Sequence, residues 1–268
     1  MPLPKTAIVT DLDGTLLDHH DYGFEPARAV LARLARLDIP VVLASSKTAA
    51  EMREIAADMP GVARWPFICE NGAGVVWPGR AASDDTRDWQ KLRAAMDGLP
   101  PDLRSHLTGF GDLGAAGIAE VTGLSLAAAA RAGQRQFSEP CLWDGGDTGL
   151  ERLQNLLGQA GITAQRGGRF LTLGFGHTKA DRIGELRDAL GVSLIVALGD
   201  APNDRAMIAA ADIGVVIPNP NGASPRGFDA SLDVRTAPAT GPAGWAMAVS
   251  AILDEIGFDI EEEGAAHG

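Results

Sequence analysis

The chain has 268 residues and a mass of 27.9 kDa, with 46% hydrophobic and 22% charged residues, so it can bury one large core or two modest ones. Its net charge of -12 and pI of about 4.8 argue against a nucleic-acid or anionic-membrane surface, which requires clustered Lys and Arg. Cys69 and Cys141 lack metal-ligand spacing, and neither a signal pattern nor a long apolar run is found, so we expect a cytoplasmic protein with reduced cysteines.

The first part of the chain alternates short apolar runs with amphipathic stretches. Strands are predicted at residues 6–10, 39–45 and 66–71, and helices at 24–38 and 47–59. This alternation is typical of a parallel sheet with helices on both faces.

Residues 78–176 lose this alternation. Helical stretches and two β-like segments are predicted near 86–98, 115–121, 124–132, 135–143, 149–160 and 169–175. We therefore expect an inserted α+β cap domain, and such insertions commonly cover an active site as a lid.

The strand–helix alternation returns after this insertion. Helices are predicted at 177–191, 202–211 and 241–257, and strands at 193–200 and 212–219. The acidic tail, residues 260–268, is interpreted as a solvated end.

The predicted fold class is therefore α/β, a doubly wound parallel-sheet (Rossmann-like) core with an inserted cap. The core comprises residues 1–77 and 177–268, and the cap comprises residues 78–176.

Polar residues follow the predicted strands or begin the next helix. They are Asp11, Asp13, Ser45, Ser46, Lys47, Glu70, Asn71, Gly72, Lys179, Asp200, Asn203 and Asp204. Ligands of open α/β sheets bind outside the carboxyl ends of the strands, where these residues meet. An acidic turn at residues 11–13 and a serine N-cap are the plain alternatives, but convergence at several strand ends favours a site.

Carboxylates from separate strand ends repel one another unless a cation lies among them. An all-oxygen ligand set suits Mg²⁺, and Asp11, Asp13 and Asp200 are its natural ligands. A serine hydroxyl and a lysine nearby would hold phosphate oxygens, and a carboxylate facing phosphorus can act as a nucleophile. Asp13 lies on the same side of an extended segment as Asp11, so it is a candidate general acid and base.

These motifs resemble those of a known superfamily. DLDGT at 11–15, ASS at 44–46, Lys179 and GDAPND at 199–204 follow the order of the four signatures of haloacid-dehalogenase-like phosphatases. The place of the insertion resembles the C2-capped, Cof-like branch. More narrowly, TDLDGTLLDHHDY, SSKTAAEM, ENGA, QRQFSEPCLW, RGGRF and VVIPNPNG resemble mannosyl-3-phosphoglycerate phosphatases.

The resemblance implies specific roles in the core. Asp11 takes the position of the nucleophile and Asp13 that of the acid/base. The metal ligands are Asp11, the backbone carbonyl of Asp13, and Asp200, with Asp204 in support. Ser45, rather than its neighbour, takes the phosphate-binding hydroxyl position, and Lys179 that of the phosphate-binding lysine.

A second set of residues is predicted to bind the rest of the substrate. A phosphoglycerate also carries a carboxylate, which arginine forks suit. The candidates in the cap and at its rim are Ser46, Lys47, Asn71, Glu139, Arg166 and Arg169. His19 and His20 are interpreted as exposed loop residues, and Asp18 as a loop residue outside the site.

The implied activity is that of a Mg²⁺-dependent phosphomonoesterase. It would convert mannosyl-3-phosphoglycerate to mannosylglycerate through an aspartyl-phosphate, as a monomer or homodimer with a small-molecule substrate and no membrane or nucleic-acid partner. The alternatives are a glucosyl-3-phosphoglycerate or other sugar-phosphate phosphatase, a phosphotransferase or mutase, and a binding protein without catalysis.

Overall fold

The computed structural model describes residues 3–79 and 85–258. The strands are β1 (Thr6–Thr10), β2 (Val41–Ala44), β3 (Phe67–Cys69), β4 (Gly74–Val76), β5 (Leu107–Gly109), β6 (Glu139–Trp143), β7 (Thr163–Gly167), β8 (Phe170–Gly174), β9 (Leu194–Gly199), β10 (Ile213–Val216) and β11 (Val234–Thr236).

The described residues also form α-helices of 4 to 16 residues. They are α1 (Arg28–Arg36), α2 (Ala49–Ala57), α3 (Arg87–Asp97), α4 (Pro101–Arg104), α5 (Phe110–Thr122), α6 (Leu126–Ala132), α7 (Gly146–Gln159), α8 (Ile183–Leu190), α9 (Arg205–Ala210) and α10 (Gly241–Ile256).

The chain divides into two compact units, and the division falls within β2. In its described residues, unit 1 comprises 3–42, 59–62 and 183–258, and unit 2 comprises 43–58, 63–79 and 85–182. This grouping by contacts differs from the core and cap boundaries at 77/78 and 176/177, which follow the order of the strands along the chain. Those boundaries stay a prediction.

Unit 1 contains a sheet with the strand order β11-β10-β9-β1-β2. β1, β9, β10 and β11 pair in parallel. The chain leaves β1 for β2 on one side and later returns to β9 on the other, so the topological switch point lies at β1. A crevice is expected there, at the adjacent carboxyl ends of β1 and β9.

The run of five buried residues in β1 explains why this strand lies inside the sheet. Helix α10 is hydrogen-bonded to the last residue of β1: the indole Nε1 of the fully buried Trp245 donates to Thr10 Oγ1 at 3.0 Å. The carboxyl end of β1 is therefore held in place by a side chain of α10.

Unit 2 contains the end of β2 and two further elements of β-structure. β2 pairs with β3 in parallel, and β3 pairs with β4 in antiparallel fashion. A separate antiparallel sheet has the order β5-β6-β8-β7, and α3 and α7 contribute Leu92, Met96, Leu153 and Leu157 to its core. The predicted α/β class with an α+β insertion is confirmed.

Most predicted strands and helices are present, but they span fewer residues than predicted. The predicted helix 177–191 begins as a 3₁₀ turn at Lys179–Arg182 before α8. Strands β4, β5, β7 and β11 were not predicted. The acidic tail at 260–268 lies outside the described residues, and among those described no helix is long and apolar enough to cross a membrane.

Candidate active site

Asp11 is the first residue after β1, and the structure holds it firmly. Its side chain is largely buried, and its N–H donates to the carbonyl of Leu198 in β9 at 2.9 Å. Its own carbonyl accepts a hydrogen bond of 2.8 Å from the Thr10 hydroxyl. The backbone of Asp11 is therefore held by the neighbouring strand β9 and by the preceding residue of β1.

A tight loop follows Asp11 and brings the chain back to the strand end. The N–H groups of Thr15 and Leu17 donate to the carbonyl of Leu12 at 3.1 and 2.8 Å, and Gly14 N donates to the Leu17 carbonyl at 2.8 Å. Gly14 has a φ of 81°, and a Cβ there would overlap the His19 ring and lie 2.6 Å from Asp200 Oδ2. Glycine is thus required both by conformation and by the close approach of Asp200.

Asp200 follows β9 and is almost fully buried. The Thr15 hydroxyl donates to its Oδ1 at 3.1 Å, and the side-chain amide of Asn219 donates to its Oδ2 at 2.6 Å. His19 Nε2 lies 3.3 Å from the same oxygen. The two hydrogen bonds orient the carboxylate, as the partners of metal ligands commonly do, and the His19 contact lacks hydrogen-bond geometry.

Asp204 is fully buried and contacts the turn that follows β9. Its Oδ2 accepts from the N–H groups of Asp200 and Ala201, at 3.2 and 3.1 Å. A Cβ on Gly199 would lie 2.6 Å from Asp204 Cγ, so glycine makes room for this carboxylate. Asp204 thereby shapes the turn that presents Asp200.

One carboxylate oxygen from each of Asp11, Asp200 and Asp204 can be chosen so that all lie within 4.8 Å of one another. Burial in low dielectric makes such a gathering of negative charge costly unless a cation compensates it. The donor set consists of oxygens, which fits a hard divalent cation such as Mg²⁺. Asp13 is half-buried and forms a bridge with Leu17 in the loop between β1 and His19.

The contacts to Asp200 include two residues that sequence reasoning missed. His19 was interpreted as an exposed loop residue, but its side chain is 30% exposed and faces Asp200. His20 is exposed, as expected. Asn219 lies three residues after the end of β10, in PNPNG, and its position near a strand end is the signal that could have identified it.

In unit 2, the ends of β2 and β3 are joined by backbone hydrogen bonds. The Asn71 N–H donates to the Ser45 carbonyl at 2.9 Å, and the Glu70 N–H donates to the Lys47 carbonyl at 3.0 Å. The Lys47 N–H donates to the Ser45 hydroxyl oxygen at 3.3 Å. The predicted residues Ser45, Lys47 and Asn71 thus lie together, and the side chain of Ser46 next to them is exposed.

The turn after β3 has an unusual backbone. Glu70, Asn71 and Gly72 have φ values of 48°, 59° and 99°. Left-handed conformations at non-glycine residues cost on the order of 1–3 kcal/mol each and persist where neighbours impose them. Such strain is concentrated at functional sites, so this turn is a candidate part of one.

The predicted phosphate-binding lysine, Lys179, borders the same turn. A Cβ on Gly72 would lie 2.6 Å from the Lys179 backbone nitrogen, and the Lys179 side chain is 2% exposed. Arg182 donates to the carbonyls of Gly72 and Ala73 at 2.7 and 2.9 Å. Ser45 and Lys179 therefore both flank the residue 70–72 turn within unit 2.

The Glu70 carboxylate is bound by the segment before β6, a contact that sequence reasoning did not predict. It accepts from the N–H groups of Gln136, Phe137 and Ser138 at 2.9, 3.2 and 2.8 Å, and from the Ser138 hydroxyl at 2.7 Å. The carboxylate is thereby satisfied within the fold rather than open to a ligand.

The remaining predicted substrate-binding residues have different surroundings. Glu139 is fully buried and accepts from Trp89 Nε1, Gly111 N and Arg93, at 2.7, 2.8 and 3.0 Å. These contacts give it a structural role, and a substrate role stays a prediction.

The two arginines of the RGGRF motif lie on the surface of unit 2. Arg166 is exposed in β7. Arg169 is also exposed, and it donates to the carbonyls of Val121 and Thr122. A role in binding a substrate carboxylate therefore stays a prediction for both residues.

Residues 8–95 match the family model described as haloacid dehalogenase-like hydrolase. A glucosyl-3-phosphoglycerate/mannosyl-3-phosphoglycerate phosphatase from Methanococcoides burtonii is 30% identical, over 94% of this chain and 98% of that protein. The chain belongs to the haloacid dehalogenase-like hydrolases. The resemblance seen in the sequence and the predicted enzyme class, a phosphoric monoester hydrolase, are thereby confirmed.

Further proteins are similar to this haloacid dehalogenase-like hydrolase. A Persephonella marina protein with the same name as the M. burtonii relative is 33% identical, over 80% of this chain and 85% of its own. A solved haloalkanoate-superfamily phosphatase from Bacteroides thetaiotaomicron is 20% identical, with a TM-score of 0.59 and coverage of 96% of both chains. That structural likeness extends across the insertion as well as the parallel sheet.

Proposed function

We propose that this haloacid dehalogenase-like hydrolase is a Mg²⁺-dependent phosphomonoesterase that converts mannosyl-3-phosphoglycerate to mannosylglycerate and phosphate. The observation that carries the proposal is the close approach of Asp11, Asp200 and Asp204 at the switch point of the sheet. The names of the two relatives support the substrate. A cytoplasmic monomer or homodimer remains our expectation.

In this proposal Asp11 is the nucleophile. One of its carboxylate oxygens forms a bond to phosphorus as the bond from phosphorus to the substrate oxygen breaks, which gives an aspartyl-phosphate. Asp13 gives its proton to the departing alkoxide and then takes one from water. The water oxygen bonds to phosphorus, the bond to Asp11 breaks, and phosphate leaves.

The other residues bind and orient. Asp11, Asp200 and the Asp13 carbonyl would hold Mg²⁺, with Asp204 in support, and the ion supplies positive charge against the phosphate. The Ser45 hydroxyl and the Lys179 ammonium bind phosphate oxygens. The remaining substrate-binding candidates would contact the glycerate and the sugar.

A glucosyl-3-phosphoglycerate substrate is the second candidate, because both relatives carry that name as well. The two sugars differ in the orientation of one hydroxyl, which hydrogen-bonding groups in the insertion would distinguish. A phosphotransferase would instead pass the phosphoryl group from Asp11 to a second sugar.

The deciding experiment measures phosphate release with Mg²⁺ from mannosyl- and glucosyl-3-phosphoglycerate, 3-phosphoglycerate and simple hexose phosphates. We expect release from a sugar-glycerate phosphate to exceed that from the others. Asp11→Asn should lower kcat by at least about 10³-fold while the thermal unfolding stays cooperative. Asp18→Asn, in the same loop, is the matched control and should retain activity. Turnover by Asp11→Asn at the wild-type rate would rule out the mechanism.

A further inference from the structure

Arg135 joins the segment before β6 to the loop that follows β2. Its Nη1 and Nη2 both donate to the Ser46 carbonyl at 3.2 Å, and Nη2 also donates to the Ser138 hydroxyl at 2.5 Å. Its Nε lies 3.3 Å from Glu70 Oε2, an ion-pair contact without hydrogen-bond geometry. The guanidinium therefore contacts three separate parts of unit 2.

The Arg135–Glu70 pair is buried, since the two side chains are 5% and 0% exposed. A buried pair is a weak source of stability, because desolvation offsets the attraction between its charges. Glu70 is already satisfied by three backbone N–H groups and a hydroxyl, so it does not need an arginine to fill its hydrogen-bonding capacity. The distinctive contact of Arg135 is instead the one to Ser46.

The loop of residues 45–47 has each of its consecutive carbonyls bound. The Ser45 carbonyl accepts from Asn71 N and the Lys47 carbonyl from Glu70 N. The Ser46 carbonyl between them accepts from Arg135. Arg135 thus supplies the central one of three contacts that fix the backbone next to the Ser45 hydroxyl.

We propose that Arg135 is a positioning residue that holds the Ser45–Lys47 loop in the conformation in which the Ser45 hydroxyl binds phosphate. This inference rests on the proposed function, which gives Ser45 that role. Glu70 in turn attracts the guanidinium, because its carboxylate accepts from the Gln136–Ser138 backbone and also lies 3.3 Å from Arg135 Nε. Phosphate affinity therefore depends on a residue that does not touch phosphate.

The test compares Arg135→Lys with the wild-type enzyme. Lysine keeps the charge that compensates Glu70 but loses the fork that reaches the Ser46 carbonyl. We expect KM and the inhibition constant of inorganic phosphate to rise about 10-fold, the effect of losing one charged hydrogen bond. Amide hydrogen exchange should become faster in the peptide spanning residues 43–50. A purely structural arginine would change the amount of folded enzyme and leave both constants unchanged.

Arg104→Lys is the matched control. Arg104 also binds a backbone carbonyl of unit 2, that of Leu107 at 2.7 Å, and a carboxylate, Asp112 at 3.0 Å. Arg104→Lys should leave KM, the inhibition constant of inorganic phosphate and the amide exchange of residues 43–50 unchanged. Ser138→Ala, which removes one partner of Arg135 and keeps the guanidinium, should give a smaller change in the same direction.

The inference is overturned if Arg135→Lys keeps the wild-type phosphate constants, or if Arg104→Lys changes them equally. Binding of inorganic phosphate by calorimetry makes the result independent of turnover. If the wild-type enzyme released no phosphate from any ester, the proposed function would fail. Weaker phosphate binding and faster exchange in Arg135→Lys would still support the positioning of the loop.

Discussion

The side-chain amide of Asn219, three residues beyond the end of β10, donates to Asp200 Oδ2 at 2.6 Å. The two residues follow the neighbouring parallel strands β9 and β10, whose carboxyl ends adjoin. An amide N–H bound to one oxygen restrains the orientation of the whole carboxylate. This contact is therefore part of the candidate metal site although Asn219 itself is not among the clustered carboxylates.

Asn219→Ala should weaken metal binding about 10-fold, as is typical when a residue that orients a metal ligand is removed. The Mg²⁺ concentration that half-maximally raises the melting temperature should increase, and so should that for half-maximal phosphate release. The first measurement does not depend on activity. Asn221→Ala is the control, because the exposed Asn221 contacts Asn219 through its backbone N–H. An unchanged Mg²⁺ requirement in Asn219→Ala would contradict this role.

Gly14→Ala should abolish activity and destabilise the fold. The change imposes a left-handed alanine, at a cost of about 1–2 kcal/mol, and pushes a Cβ against Asp200. Gly161→Ala is the matched control, since Gly161 has a φ of 72° with no atom within 4 Å of an added Cβ. Gly161→Ala should lose stability through backbone strain, as measured by urea unfolding, and should keep full activity. Equal activity of the two variants would refute the close-approach argument.

The clustered carboxylates Asp11 and Asp200 were predictable because strand ends are local features of a sequence. Asp11 and Asp200 each follow an apolar run, and the parallel topology brings such ends together. The contact from Glu70 to residues 136–138 spans more than 60 positions and depends on how the segment before β6 folds. No local pattern encodes it, so Glu70 was assigned no definite role.

Two of the strands that were missed, β7 and β11, lack the apolar run that identifies a buried strand. β7 is TAQRG with one buried residue, and β11 is a three-residue edge strand with none. Their pairing with β8 and β10 creates them, since an edge strand is stabilised by backbone hydrogen bonds to its neighbour. The hydrophobic pattern of a sequence indicates which residues are buried, so it does not identify a strand whose residues are mostly exposed.

Both cysteines should be inert in the folded protein. Burial, with the charge of Glu70 second, raises the pKa of the Cys69 thiol to about 12, and burial also raises the pKa of Cys141. The thiolate is the reactive form, so a thiol reagent at pH 8 should modify neither residue in the native state and both in denaturant. Modification of either one in the native protein at the denatured rate would contradict this.

Asp112 should stabilise the protein in a pH-dependent manner. Burial alone would raise its pKa, but hydrogen bonds from Arg93 and the Gly109 N–H outweigh burial and lower the pKa to about 2. The unfolded value is about 3.9, so the contribution to the free energy of unfolding is fully present above that value and is lost as the pH falls toward 2.

Asp112→Asn tests this contribution, because the amide can still cap α5 while the charge is removed. The side chain is 24% exposed and solvent screens the pair, so we expect a loss of about 1 kcal/mol at pH 7 by urea unfolding. The difference in free energy of unfolding between Asp112→Asn and the wild type should be smaller at pH 3. Asp102→Asn, which breaks the exposed pair with Arg152, should have little effect at either pH. A difference for Asp112→Asn that is the same at pH 7 and pH 3 would show that the charge is not its cause.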